Sequence, residues 1–127
     1  MSEFVVDASA IIALARGEKG FERVEEFRER SVVSAVNLME AFSRIVRHDV
    51  EPERVHSFLR QAFPIVIPFD REQSETAAII HAGSRNLGLS HGDAACLALG
   101  SMRKATVLTG DRAWKQVDLG VKIMLFR

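Results

Sequence analysis

The chain opens on three apolar positions, Phe4-Val5-Val6, that stop at Asp7. The residues after it, Ala8-Ser9-Ala10-Ile11-Ile12-Ala13-Leu14-Ala15, have the small and aliphatic make-up of a buried helix. The pattern predicts a strand running directly into a helix. From Glu18 to Arg30 the charges alternate in sign as on a solvated face, and a second helix is expected from about Gly20 to Glu29. Val32-Val33 reads as a short strand, and Ser34 is placed to cap a long helix from Ala35 to about Arg47. At 100° per residue that helix puts Leu38, Met39, Phe42, Ile45 and Val46 on one face and Asn37, Glu40, Ser43, Arg44 and Arg47 on the other.

The second half repeats the alternation. Pro52 suits the first turn of a helix that runs to about Ala62, and Ile65-Val66-Ile67 between two prolines reads as a strand. Helices are expected from Arg71 to Asn86 and from His91 to Arg103, with Gly88 as a stop between them. The strand Thr106-Val107-Leu108, a helical turn after Asp111 and a last strand from Val121 to Leu125 complete the series. Strands alternating with helices point to an α/β fold, a parallel sheet covered on both faces. At 127 residues the chain suits one such domain.

Three acids sit at comparable places: Asp7 directly after the first strand, Asp111 three residues after the fourth, and Asp93 in the first turn of a helix. In open parallel sheets ligands collect at the carboxyl ends of the strands, where strand order reverses, so Asp7 and Asp111 are expected to meet there. Each acid also has a local use. Asp7 and Asp111 suit helix N-caps, and Ser90 with Asp93 suits a capping box. Glu40 precedes Arg44 by one helical turn, an ion-pair spacing. Local roles do not explain why the acids recur in one pattern.

The segments around them resemble the motifs of PIN-domain proteins. Phe4-Val5-Val6-Asp7-Ala8-Ser9-Ala10 looks like the family's opening, and Val33-Ser34-Ala35-Val36-Asn37-Leu38-Met39-Glu40-Ala41 is similar to the segment bearing its glutamate. Leu87-Gly88-Leu89-Ser90-His91-Gly92-Asp93-Ala94-Ala95-Cys96 and Val107-Leu108-Thr109-Gly110-Asp111-Arg112 resemble the third and fourth motifs. Gly110 stands where a small residue such as Ala is usual, and His91-Gly92 varies the approach to Asp93. A chain with no appended module is most similar to the VapC-type toxins of VapBC toxin–antitoxin systems. The resemblance implies a single PIN-like domain over residues 1–127, with about five parallel strands flanked by helices on both faces. It implies an endoribonuclease that hydrolyses RNA phosphodiester bonds with Mg²⁺, or Mn²⁺ in its place. Asp7, Glu40, Asp93 and Asp111 carry over as the catalytic and metal-binding set, with Ser9 and Thr109 as polar neighbours that orient a carboxylate or a metal-bound water. An RNA substrate, a cognate antitoxin and a homodimer are the implied partners.

Charge and composition constrain this picture. Seventeen basic and seventeen acidic residues give no net charge, against the basic excess usual in nucleic-acid binders. With four acids gathered around a cation, seventeen basic residues face thirteen remaining acids, an excess of four outside the site. Arg16, Arg44, Arg85 and Arg112 are the phosphate-positioning candidates near the motifs. The four histidines, His48, His56, His81 and His91, lack a paired ligand spacing and read as surface residues. Cys96 is the only cysteine, so the chain forms no internal disulfide; a buried thiol and a cytoplasmic setting are expected. The apolar start is too short to span a bilayer, and no membrane association is expected.

Two other enzyme and binding classes are weaker. A haloacid-dehalogenase-like phosphatase also begins with a strand ending in Asp but needs a second Asp two residues on, where this chain has Ser9. A receiver domain wants its acceptor Asp after a middle strand, whereas Asp49 follows a helix. The alternative from a different class is a PIN-fold module that binds RNA or protein with little nuclease activity, which the intact acidic set disfavours.

Overall fold

A computed structural model describes residues 3–127. It places five parallel strands in the order β3-β2-β1-β4-β5, with β1 (Phe4–Val6), β2 (Ser31–Ser34), β3 (Val66–Ile67), β4 (Thr106–Thr109) and β5 (Lys122–Leu125). Helices α1 (Ala8–Arg16), α2 (Phe21–Phe27), α3 (Ala35–Val46), α4 (Pro52–Ala62), α5 (Arg71–Gly83) and α6 (His91–Arg103) connect them. The expected alternation and the parallel α/β class are both present.

The period of two along the strands divides the core. Phe4, Val6, Val33 and Leu108 face a cluster with residues of α1 to α4, whereas Val5, Val32 and Val107 face Ala77 and Ile80 of α5, the apolar side of α6 and Trp114. Burial on both faces is why the inner strands read as continuous apolar runs rather than as alternating ones.

Two helices end sooner than their patterns predict. α2 gives way after Phe27 to a 3₁₀ turn at Arg28–Arg30, and α5 stops at Gly83 before a 3₁₀ turn at Arg85–Leu87. Helical periodicity does not separate the two kinds of turn, because a 3₁₀ segment tightens the same chain by one residue per hydrogen-bonded ring. On α3 the face assignment shifts. Met39 is 66% exposed and Asn37 is buried, because Asn37, Ala41 and Ile45 form the innermost row.

Gly100 sets how closely α6 lies on the sheet. A methyl group there would meet Val107 Cγ2 at 2.4 Å and Val121 Cγ1 at 3.4 Å. Alanine gains about 1 kcal/mol of intrinsic helix propensity over glycine, but overpacking a stiff β-branched neighbour costs about 1–3 kcal/mol and prevails at this distance. Gly100→Ala is therefore expected to lower the urea midpoint and the melting temperature by several degrees. A variant at least as stable as the parent would show that α6 can move off β4 freely.

Candidate active site

The strand order reverses between β1 and β4, which pair side by side with Val6 opposite Leu108. The residues leaving those strands, Asp7 and Thr109, thus emerge at the same level. Asp7 is buried and caps α1 through the bond its Oδ1 accepts from the Ala10 amide at 2.9 Å. The Ser9 hydroxyl donates to the same oxygen at 2.6 Å, and the Thr109 hydroxyl donates to Oδ2 at 2.6 Å. Ser9 Oγ in turn accepts from the Gly110 amide at 3.0 Å, and Thr109 Oγ1 accepts from the Asp111 amide at 3.0 Å. Two hydroxyls therefore lock the Asp7 carboxylate between the ends of both strands.

Burial pushes the Asp7 carboxyl up to about 6, against the opposing pull of Ser9, Thr109 and Ala10, and the charge of Asp93 adds to the rise. Asp93 and Ser90 form the expected capping box: the Ser90 amide donates to Asp93 Oδ2 at 2.9 Å, and the Asp93 amide to Ser90 Oγ at 3.1 Å. Glu40, on α3, pairs with Arg44 Nη2 at 3.1 Å. Its carboxylate lies against Gly92 so closely that a Cβ there would sit 2.8 Å from Glu40 Oε1. Gly92 is thus the residue that lets α3 and the start of α6 bring two acids together.

Cys96 sits one turn into α6 and is fully buried. Burial raises its thiol well above the ordinary range, and the charges of Asp7, Asp93 and Glu40 raise it further, in that order. Asp93 stands in the first turn of α6, and Glu40 lies against Gly92 in that same turn. The charge of Asp93 acts on Asp7 across from it, so three of the four acids gather at this end of the helix. Asp111 does not join them. It is exposed, caps the following turn through the Ala113 amide at 3.0 Å, and reaches Asp7 only through Thr109. The expected meeting of Asp7 and Asp111 is thus indirect, because the two residues Thr109 and Gly110 separate Asp111 from the end of the paired strand.

Sequence patterning missed Asn37, assigned to the solvated side of α3. Its Nδ2 donates to the Gly92 carbonyl at 3.0 Å, and its buried Oδ1 accepts no hydrogen bond. Its signal was its place one turn before Glu40, which puts both on the side of α3 that meets α6.

The donors suit a hard divalent cation. The groups gathered there are all oxygens, the charge of Asp93 acts on Asp7, and Asn37 Oδ1 is an uncommitted acceptor on the side chain that, like Glu40, lies at Gly92. Among the described residues no three Asp, Glu, His or Cys side chains close into a set able to hold an ion by themselves. A Mg²⁺ ion there would be held by one or two of these carboxylates directly and by the others through its own waters. Of the arginine candidates, Arg16 and Arg44 line a cleft beginning at Ser9, whereas Arg85 and Arg112 are exposed elsewhere. His91 is exposed and stacks on the half-buried His81 with ring centroids 4.2 Å apart. No helix among the described residues is long and apolar enough to cross a membrane.

The family model of the PIN domain matches residues 4–119. No curated protein matches the chain in sequence. The fold is similar to that of DNA-bound VapBC from Salmonella typhimurium, with a TM-score of 0.77, 19% identity and 100% of each chain covered. A toxin–antitoxin complex from Klebsiella pneumoniae superposes with a TM-score of 0.76 at 16% identity over 98% of each chain. The sarcin–ricin-loop-cleaving toxin VapC20 of Mycobacterium tuberculosis gives 0.73 at 15% identity, over 94% of this chain and 99% of that one. A family-model match across most of the chain makes this protein a member of the PIN-domain family, with a fold like that of the VapC toxins.

Proposed function

We propose that this protein is a metal-dependent endoribonuclease, the toxin of a toxin–antitoxin pair, hydrolysing RNA phosphodiester bonds in the cytoplasm. The observation that carries the reading is the Asp7 carboxylate held by two hydroxyls at the switch point of the sheet, with Glu40 lying against Gly92 in the turn of α6 that bears Asp93. Such a cluster is electrostatically unfavourable by itself: two carboxylates about 4 Å apart repel by ~4 kcal/mol at an effective dielectric constant of 20. A cation of the Mg²⁺ or Mn²⁺ type would supply an activated water and neutralise charge on the phosphate.

The chain's own residues do the positioning. Ser9 and Ala10 occupy Oδ1 of Asp7 and Thr109 holds Oδ2, so the one acceptor position left, on Oδ2, keeps a single direction. The capping box orients Asp93, and Arg44 steadies Glu40 against Gly92. Asp111 contributes from the rim, linked through Thr109. A cognate antitoxin and a homodimer belong to the same reading. Support for the antitoxin comes from the Salmonella and Klebsiella neighbours, which are a VapBC protein and a toxin–antitoxin complex.

Incubation of the purified protein with total tRNA and ribosomal RNA is expected to give discrete fragments with Mg²⁺ and none with EDTA. Equal cleavage under both conditions would sink the assignment. Independently of turnover, Mg²⁺ or Mn²⁺ is expected to raise the melting temperature by several degrees, and Asp93→Asn to reduce that rise. A melting curve insensitive to metal in the parent protein would count against a cation at this place.

A further inference from the structure

A cleft of about 480 Å³ opens beside the acidic centre, lined by Ser9, Arg16, Glu18, Arg44, Arg47 and Arg127 together with Ile12 and His48. Four arginines face a single glutamate there, a surplus of three positive charges in a chain of zero net charge. The cleft adjoins the acids at two points. Ser9 lines it while donating to Asp7, and Arg44 lines it while pairing with Glu40.

Several elements are shaped to assemble it. Gly17, in the left-handed region at φ 66°, ends α1 and turns the chain so that Glu18 lies beside Arg16, 3.9 Å from its Nη1. Arg16 Nη2 also donates to the Arg44 carbonyl at 3.2 Å, tying α1 to α3. Beyond β5 the Phe126 amide donates to the Thr109 carbonyl at 3.1 Å, which carries Arg127 back over the site. Gly110 makes room for it: a Cβ there would meet Arg127 Nε at 2.8 Å. The Arg127 guanidinium lies 5.0 Å from the centre of the Phe126 ring and pairs with Glu18 at 3.3 Å. The absence of a side chain at residue 110 thus has a local reason in this chain.

We infer that this cleft is a phosphate-binding subsite for the RNA backbone next to the bond being cut, with Glu18 as a built-in counter-ion that the incoming phosphate displaces from Arg16 and Arg127. The inference rests on the nuclease reading for the identity of the strand. Arginine forks match phosphate oxygens in pairs, and the Glu18 bridges have side chains about one-third exposed, at 33%, 35% and 32% for Arg16, Glu18 and Arg127. Bridges of that exposure contribute little and give way readily to a stronger anion. The cleft thus gives a chain of zero net charge a locally basic surface beside its acids.

The test is fluorescence anisotropy of a labelled single-stranded RNA decamer with the full chain in EDTA, so that binding is read without cleavage, across a salt series. Arg16→Ala with Arg127→Ala is expected to weaken binding at least about tenfold. The same pair should flatten the slope of log affinity against log salt by about 1.4, at ~0.7 for each phosphate that is no longer neutralised. Glu18→Gln is expected to tighten binding several-fold, a gain that misfolding cannot produce. Gly110→Ala should displace Arg127 and weaken binding in the same direction as its removal. Unchanged affinity in the arginine and Glu18 variants would overturn the subsite while leaving the nuclease reading intact. Oligo-glutamate of equal charge binding as tightly as RNA would overturn the assignment to nucleic acid. Responses as expected in a protein that cuts no RNA would uphold the subsite and remove the nuclease reading instead.

Discussion

Asp7→Asn is expected to lower the single-turnover rate of RNA cleavage at saturating Mg²⁺ by about a thousandfold or more, roughly 4 kcal/mol of barrier. The size follows from what the substitution removes. Asparagine has nearly the same shape, and its remaining carbonyl can keep the bonds from the Ala10 amide and the Ser9 hydroxyl at Oδ1. Its NH₂ replaces Oδ2, so the Thr109 hydroxyl must turn from donor to acceptor there while still receiving the Asp111 amide, which its two lone pairs allow. Geometry is largely kept and the charge is removed. Ser9→Ala and Thr109→Val keep the charge and remove one restraint each, so losses nearer tenfold to a hundredfold are expected. Circular dichroism and melting curves would confirm folding. An Asp7→Asn enzyme within tenfold of the parent would mean that the reaction occurs elsewhere on the molecule.

The ranking of these effects was readable in the sequence only up to a point. The alternation of strands and helices, the caps at Ser34, Asp7, Ser90 and Asp111, and the Glu40 to Arg44 pair all follow from local rules, and each is present. They were legible because they depend on residues within one turn of each other. A parallel sheet was expected from the alternation, whereas the pairing of β1 with β4, which joins Asp7 to Thr109, is set by the strand order. What was not legible depends on distances between elements. Nothing in the local pattern distinguishes Asp111, held at the rim, from Asp93, whose charge reaches Asp7. Likewise, Asn37 is polar and lies on α3 beside other polar residues, yet contact with the Gly92 carbonyl buries it. Gly92, Gly100 and Gly110 carry much of this information, since each lacks a side chain where another element comes close. The glycines mark long-range contacts, but a single sequence does not say with which partner.

In the absence of metal, Asp7, the acid given the largest part in the proposed reaction, is expected to weaken the fold at neutral pH. The Asp7 carboxyl stands at about 6 in the folded protein, against about 3.9 for an unfolded aspartate. Between those values the folded state holds a proton that the unfolded state has released. Stability therefore falls as pH rises through the window from about 4 to about 6, by roughly 3 kcal/mol for a shift of two units, and levels off above it. Glu3 acts with the opposite sign. Its pairing with Arg103 lowers its carboxyl, so that contribution is present above its ordinary range and is lost on acidification. The two are separated by comparing the parent with Asp7→Asn in urea titrations with EDTA from pH 4 to pH 7.5. Because the variant keeps Glu3 and lacks only the titrating group at residue 7, the difference in stability is expected to move in its favour by about 3 kcal/mol across the series. Addition of Mg²⁺ at pH 7.5 should recover much of that difference in the parent and little of it in the variant, since the cation offsets a charge that the variant no longer carries. A difference between the two proteins that stays constant with pH would show that Asp7 is not held near 6, and that its burial is relieved by means other than a shared proton or a cation.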